Sequence, residues 1–445
     1  MWKPSPWISL AAIAIAHPAA AEPEPAPDFT WQSGSARTKD SLLSNQYFTA
    51  ELRIDDVFHD SLNHPKDDTI GGSTEAWRSG ENQITQLGIG GDLHVDRVLG
   101  RFMTQFGTLS TTTPRNDATP SRGQWQLDNA YRYISEAYGG YHFGDPQRGV
   151  NVEAGLFLSF VGLWSYYNFD NWTYQPSYVS SNTPWFFNGA RVQWFVTDKL
   201  KIEPWLINGW QSYARANAWP GLGGQVRYTP NGNVILIFNQ YAVGTDVIGD
   251  PARHRYHTDD SIEVKWYEHA DHFISRIATT LTLDAGCEHG GAVKCFGGTA
   301  ATPSQYFLGF MAYVRAWHGE QLATTFGGGA ITNPGRYLVL LPPINGATAA
   351  SGTPYFPESP GDKFRAWDSQ LTFDYMPSQF VTFRAEFTYR HASVPYFTGP
   401  GGVTPPGGNQ GAPGSKVVDA TGRVTWAPDL VRDEPRLSLA LLVKL

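Results

Sequence analysis

The feature that most constrains the fold is a two-residue alternation of apolar and polar side chains in segments of about ten residues. In residues 381–391, VTFRAEFTYRH, apolar and aromatic side chains occupy every second position, and Arg384, Glu386 and Arg390 lie between them. Residues 436–445, RLSLALLVKL, alternate in the same way. Because successive side chains of a strand point to opposite faces, this period predicts β-strands with one apolar and one polar face.

The connections between these segments distinguish a membrane barrel from a soluble β-sandwich. Short turns alternate with long connections, as expected when short periplasmic turns and long extracellular loops join the strands of an outer-membrane barrel. After the N-terminal region no segment has 18 consecutive apolar residues, so a transmembrane helix is not predicted. The fold class is therefore all-β: a transmembrane antiparallel β-barrel in one domain. The predicted long connections lie near 59–82, 109–129, 162–187, 284–303, 332–364 and 392–434.

We predict about sixteen strands, an even number that places both termini in the periplasm. The segment VVDATGRVTW (417–426) is a candidate for further pairing, which would raise the number to eighteen. The long loop between strands 5 and 6 is expected to fold inward. The sixteen predicted strands lie near 47–58, 83–95, 98–108, 130–143, 149–160, 187–197, 200–212, 220–229, 232–243, 256–267, 272–283, 304–316, 320–331, 365–376, 379–391 and 435–445.

The first 21 residues have the composition of a cleaved secretory signal peptide. Lys3 is their only charge, residues 8–16 are apolar, and small residues precede Glu22. This pattern predicts export through the inner membrane of a Gram-negative bacterium and cleavage after Ala21. The predicted organisation is a signal peptide at 1–21, a periplasmic N-terminal segment at 22–46 and the barrel at 47–445, in the bacterial outer membrane.

The chain has two cysteines, Cys287 and Cys295, in CEHGGAVKC. In an exported protein, such an isolated pair predicts a disulfide that closes a short loop. A metal site is the weaker interpretation, because His289 alone does not complete a set of ligands.

Several motifs resemble one family of outer-membrane proteins. They are Gly155–Phe157 in the predicted fifth strand, NWTY at 171–174, Pro184–Trp185 with Gly189, and NGW at 208–210. With AEFTYRHASVPYFTGPGGVTPP at 385–406, they resemble the OmpL-like putative β-barrel porin-2 family over most of the mature chain. The resemblance implies an outer-membrane barrel with channel activity, and it names no solute.

The connection near 162–187, the aromatic loop, has an unusual composition. It combines Trp, Tyr and Phe with Asn, Ser and Pro, and its only charge is Asp170. An aromatic ring can pack on the barrel wall by one face and stack on a sugar by the other, while amide groups bind hydroxyls. We predict that the loop constricts the lumen; a plug and an extracellular cap are the alternatives. The predicted constriction residues are Trp164, Tyr166, Tyr167, Asn168, Asp170, Asn171, Trp172, Tyr174, Gln175, Tyr178 and Trp185.

The polar strand faces carry charges of both signs that are predicted to line the pore. Facing rows of opposite charge would order polar solutes in a transverse field. The simpler interpretation is that most of them pair across strands. The predicted pore-lining residues are Glu51, Arg53, Asp92, Glu153, Arg191, Glu263, Lys265, Asp368, Asp374, Arg384, Glu386 and Arg390.

No catalytic constellation, phosphate-binding loop, paired-cysteine metal spacing or nucleic-acid motif is evident. We therefore expect no enzymatic activity, no metal and no cofactor. The predicted function is passive diffusion of small hydrophilic solutes, including sugars, through a porin. The alternative is a plugged or closed barrel that binds a ligand or anchors the envelope. The expected surroundings are outer-membrane lipid and lipopolysaccharide without nucleic acid, and both a homotrimer and a monomer fit the sequence.

Overall fold

Sixteen strands form a closed antiparallel barrel in this computed structural model. It describes residues 28–445 except 74, 120–121, 147, 300–301, 303, 334–362 and 409–416, so the predicted signal peptide and part of the Gly/Pro-rich stretch 398–415 lie outside the described residues. Each strand pairs with its neighbours in the chain, and β1 closes the ring against β20. The barrel strands are β1 Phe48–Ser61, β2 Glu81–Val95, β3 Val98–Thr104, β4 Ile134–Phe143, β5 Gly149–Leu158, β6 Phe186–Thr197, β7 Leu200–Ile207, β8 Gly221–Asn231, β9 Val234–Gly244, β10 His254–Glu268, β11 Arg276–His289, β12 Tyr306–His318, β13 Leu322–Asn333, β14 Phe364–Ser378, β15 Val381–Ala392 and β20 Asp433–Lys444.

The barrel is apolar on its outer surface and polar inside, the reverse of a soluble protein. Along β14, Trp367, Phe373 and Tyr375 are exposed on the outer surface, whereas Asp368 and Asp374 are buried on the lumen side. Because lipid solvates apolar side chains and strands must satisfy all backbone groups by pairing, this arrangement suits a membrane-spanning barrel. Among the described residues, no helix is long and apolar enough to cross a membrane.

The connections divide into two classes by length. Seven short turns lie at the end of the barrel that also carries the start of β1 and the end of β20, and eight long loops lie at the other end. We number these loops 1 to 8 in chain order; loop 1 is 62–80, loop 3 is the aromatic loop and loop 8 is 393–432. By the usual orientation of such barrels, the turns are periplasmic and the loops extracellular.

Short elements occupy the long loops. The candidate additional segment 417–426 forms a separate two-stranded hairpin, so the eighteen-strand alternative is wrong. Its side chains are too polar, and its strands too short, to cross the membrane as barrel strands. These elements are helices α1 Leu109–Thr112, α2 Leu127–Tyr131 and α3 Tyr178–Ser181, 3₁₀ turns Thr113–Asn116 and Asn168–Asp170, and strands β16 Phe397–Thr398, β17 Val417–Val418, β18 Val424–Trp426 and β19 Leu430–Val431.

Candidate functional site

The aromatic loop begins after Leu158 and ends before Phe186, and residues 167–185 are buried throughout. Beside its aromatic rings, many of its buried side chains are polar, so these side chains and the backbone groups need hydrogen-bond partners. The rings pack partly against the wall: Trp164 lies 4.9 Å from Tyr313 and Trp172 lies 5.8 Å from Trp317, between ring centroids. Both wall residues belong to β12.

Charged wall residues bind the backbone of the aromatic loop. The Glu386 carboxylate accepts the amides of Tyr174 at 2.6 Å and Gln175 at 2.8 Å. Arg384 donates to the carbonyls of Asn168 at 3.2 Å and Asn171 at 2.6 Å. These side chains are buried, where charge-assisted hydrogen bonds are strong and an unpartnered charge is costly. β15 thus fixes the middle of the loop by side chains of both signs.

Further contacts extend this attachment along the loop. Asp368 accepts the amide of Tyr178 at 2.7 Å, at the start of α3. Arg390 donates to the carbonyl of Pro176 at 2.7 Å and to that of Gly72, in loop 1, at 2.8 Å. The same guanidinium therefore joins the aromatic loop to loop 1.

The β1 side of the wall also binds the loop. Arg53 forms an ion pair with Asp170 at 3.1 Å, and Asp55 accepts Asn168 Nδ2 at 2.8 Å and the Tyr174 hydroxyl at 3.0 Å. Burial, reinforced by the Asp55 carboxylate, raises the pKa of Tyr174 well above its usual value. The hydroxyl therefore stays protonated and remains a donor at physiological pH.

The predicted pore-lining charges are brought together mainly in ion pairs. Arg101 contacts Glu51, Asp92 and Glu136, and Arg53 also pairs with Glu51. Three further pairs involve other predicted residues: Arg191 with Glu153 at 2.6 Å, Lys265 with Glu268 at 2.6 Å, and Arg384 with Asp374 at 2.7 Å. Glu263 instead accepts the Ser33 amide at 2.8 Å. These contacts fit lumen charges that neutralise each other in ion pairs better than two facing rows of unpaired charges of opposite sign.

A cavity of about 200 Å³ remains between the aromatic loop and the wall formed by β8 and β9. Its boundary combines aromatic rings with hydroxyl and amide groups, and two charged side chains contribute to it, Glu75 from loop 1 and Arg227 from β8. Trp164 and Tyr166 are half-buried, so part of each ring remains accessible. Other polar lining residues are Ser33, Ser35, Ser159, Ser165, Asn168, Asn171, Ser180, Thr183 and Gln225.

Several lumen residues were missed by the sequence analysis. Arg101, Arg227 and Arg315 lie on the polar faces of predicted strands, so the alternation contained the signal for them. Arg315 contacts Asp374 at 2.8 Å and the carbonyl of Trp172 at 3.2 Å. The packing of residues 28–38 inside the barrel had no such signal, because this segment lacks strand alternation.

Two contacts stabilise the extracellular loops. Cys287 and Cys295 form a disulfide at the end of β11. In loop 1, Asp67 accepts the backbone amides of Val403 at 2.8 Å and Thr404 at 2.6 Å, in loop 8. Partial burial opposes ionisation of Asp67, but these hydrogen bonds prevail and lower its pKa below the usual value.

Comparison with known proteins gives one family match and several structural matches. A model of the family described as "Putative beta-barrel porin-2, OmpL-like" matches residues 47–412. The structure of OprB from Pseudomonas putida superposes with a TM-score of 0.50 at 11% identity, covering 90% of this chain and 94% of that one. At this identity the match concerns the fold alone.

Two further solved structures are similar over comparable lengths. The outer-membrane channel DcaP of Acinetobacter baumannii has a TM-score of 0.49 at 10% identity and covers 91% of this chain and 99% of its own. OmpT of Vibrio cholerae has a TM-score of 0.49 at 8% identity, with 91% and 100% covered. No curated protein sequence matches the chain.

Proposed function

Because the chain belongs to the OmpL-like putative β-barrel porin-2 family, we propose that it is a passive channel for small hydrophilic solutes, with its lumen narrowed by the aromatic loop. Membership places the protein in the bacterial outer membrane as a porin. The observation that supports the narrowing is the set of charged contacts from β1, β14 and β15 to the loop backbone. They hold the loop on one side of the lumen and leave the polar cavity on the other.

We further propose that the solutes include sugars. The cavity offers the half-buried rings of Trp164 and Tyr166 beside Asn168, Asn171 and several hydroxyl groups. Flat apolar rings with a few placed polar groups are the usual means of orienting a small polar ligand. Because many lumen charges neutralise each other in pairs, an uncharged solute fits this passage better than a strongly charged one.

The alternative function is a closed barrel that binds a ligand or anchors the envelope. It is favoured by the extent of packing in the lumen, where the side chains of Trp31 and Tyr174 are completely buried. In that case the aromatic rings would serve as packing and no solute would pass.

The test is single-channel conductance of the refolded mature protein in a planar bilayer. Stable ohmic steps support the channel, and they are expected to grow when residues 164–185 are replaced by a short Gly–Ser turn. Unchanged conductance in that variant would reject the constriction. A barrel that shows the heat-modifiable gel mobility of a folded protein, yet stays silent both as wild type and in every variant that removes a segment from its lumen, would reject the channel in favour of the closed alternative.

The sugar proposal is tested in the same bilayers with glucose and sucrose. Current block by either sugar is expected to weaken in Trp164→Ala. The matched control is Trp125→Ala, since Trp125 is 84% exposed in loop 2 and lines no part of the cavity. Conductance without block by either sugar would retain the channel and reject sugars as its solutes.

A further inference from the structure

Residues 28–38, which we call the N-terminal strap, cross the periplasmic mouth of the barrel. At one side the Trp31 indole donates to the carbonyl of Gly232, in the turn between β8 and β9, at 3.1 Å. At the other side Arg37 donates to the carbonyls of Ser378 at 3.1 Å and Val381 at 2.7 Å, at the turn between β14 and β15. Strands β9 to β14 separate the two turns around the ring, so the strap spans the opening as a chord.

The strap packs directly beneath the aromatic loop. The Gly34 amide donates to the carbonyl of Asp170 at 3.1 Å, and the Trp172 indole donates to the carbonyl of Trp31 at 3.2 Å. The Arg37 guanidinium lies 4.3 Å from the ring centroid of Phe169, at cation–π distance. The loop and the strap therefore form one continuous packing unit.

At Gly34 the strap lies directly against the backbone of the aromatic loop. Its φ is 74°, and a Cβ built there would lie 2.1 Å from the carbonyl oxygen of Leu163. Only glycine fits this position, because a side chain would meet the backbone of the aromatic loop.

The wall binds the strap as well. Glu263 accepts the Ser33 amide at 2.8 Å, and Arg227 donates to Gln32 Oε1 at 2.7 Å. Trp31 has no exposed surface and packs in the main hydrophobic cluster of the lumen. The strap is therefore packed into the periplasmic half of the lumen.

We propose that the N-terminal strap closes the periplasmic exit of the channel and that its displacement opens the path from the cavity. This inference rests on the proposed channel function. Ser33, Gly34 and Ser35 line the cavity, so a solute moving toward the periplasm meets the strap. Residues 39–46 are exposed and contain no regular strand or helix, so they serve as the hinge on which the strap swings out.

The experiment compares the mature wild-type protein, a variant lacking residues 28–38, and Gly34→Val. The matched control is Gly249→Val: Gly249 also has a positive φ, 77°, but a Cβ there meets nothing within 4 Å. Conductance is expected to rise in the deletion and in Gly34→Val, and to stay at the wild-type value in the control. If deletion of the strap leaves conductance unchanged, the proposal is overturned.

A second readout follows the strap without relying on current. Ala278 is buried on β11 opposite Lys265, whose ammonium lies 5.9 Å from the Trp31 ring centroid. Both native cysteines are in the disulfide, so Ala278→Cys introduces the single free thiol. Its labelling by a charged maleimide is expected to accelerate when the strap is deleted or when Gly34→Val is present.

The two proposals fail in different ways. If deleting the strap accelerates labelling of the thiol introduced by Ala278→Cys but does not raise conductance, the strap covers the wall without gating the channel and the proposal fails. If replacing the aromatic loop raises conductance whereas deleting the strap does not, the channel function stands and the strap proposal fails. If the wild type does not conduct but the variant lacking the strap does, the strap proposal is supported. If both are silent although folded, removing the strap opens nothing and both proposals are rejected.

Discussion

Replacing Glu386 by glutamine should release the middle of the aromatic loop while leaving the barrel closed. The carboxylate accepts four hydrogen bonds, from the amides of Tyr174 and Gln175 and from the hydroxyls of Thr372 and Thr388. A glutamine keeps one acceptor oxygen and turns an NH₂ group toward donors, so at least one loop amide loses its acceptor. With hydrogen bonds to charged groups contributing about 1.5–3 kcal/mol, we expect a loss of roughly 2–4 kcal/mol in loop attachment.

The assay is native-state hydrogen exchange at the amides of Tyr174 and Gln175. The expected loss corresponds to a roughly 30- to 700-fold increase in local opening, hence in exchange rate. The control is Thr388→Val, which removes one hydroxyl donor to Glu386 but no contact to the loop. Exchange in Glu386→Gln within about threefold of wild type, with the barrel folded, would refute the view that this carboxylate holds the loop.

Three further predictions concern the loops and the wall. Because ionised Asp67 binds two amides of loop 8 and its pKa is lowered, this contact stabilises the protein above about pH 4 and is lost as the pH falls through the folded pKa. Proteolysis of loop 8 by pepsin should therefore increase steeply below pH 4 in the wild type and vary less with pH in Asp67→Asn; equal pH profiles would contradict this. Gly329→Ala should overpack the barrel, because its Cβ would lie 2.4 Å from a backbone oxygen. We expect a loss of about 1–3 kcal/mol in the free energy of unfolding, seen as a lower unfolding temperature. The control is Gly139→Ala, which should leave that temperature unchanged because its Cβ would lie 3.7 Å from the nearest atom. Removing the Cys287–Cys295 disulfide with paired serines should make loop 6 more susceptible to trypsin with the barrel still heat-modifiable, and unaltered cleavage would show that the bond does not restrain the loop.

The alternation of side chains predicted the barrel well because lipid and lumen impose opposite requirements on neighbouring residues. In β15, every second residue from Phe383 faces outward and Arg384, Glu386 and Arg390 are buried inside, as the period requires. Strand ends were less well predicted. The third strand was expected to reach residue 108 but β3 ends at Thr104, and the seventh was expected to reach 212 but β7 ends at Ile207. Pairing with neighbours and the packing of loops set these ends.

The partners of the lumen charges could not be predicted from local pattern. Arg53 pairs with Asp170, which lies on the loop after β5, and Arg315 on β12 pairs with Asp374 on β14. The alternation predicts on which face of the sheet a side chain lies, but not which side chain of another strand or loop it contacts. The N-terminal strap was missed for a related reason: Trp31 and Gly34 gain their roles only from the turn and loop they meet.

The seam between β1 and β20 has a consequence for how the barrel forms. Arg53 on β1 lies opposite Lys444 on β20 in the strand register, and Leu52 exchanges backbone hydrogen bonds with Leu445. This pairing joins the two ends of the barrel sequence. Until those strands meet, each presents a row of unpaired N–H and C=O groups, which hydrocarbon does not solvate. Contacts so distant in sequence carry a large loop-closure entropy and form slowly. We therefore expect membrane entry and ring closure to be coupled in time, with the pairing of β1 and β20 among the last contacts to form.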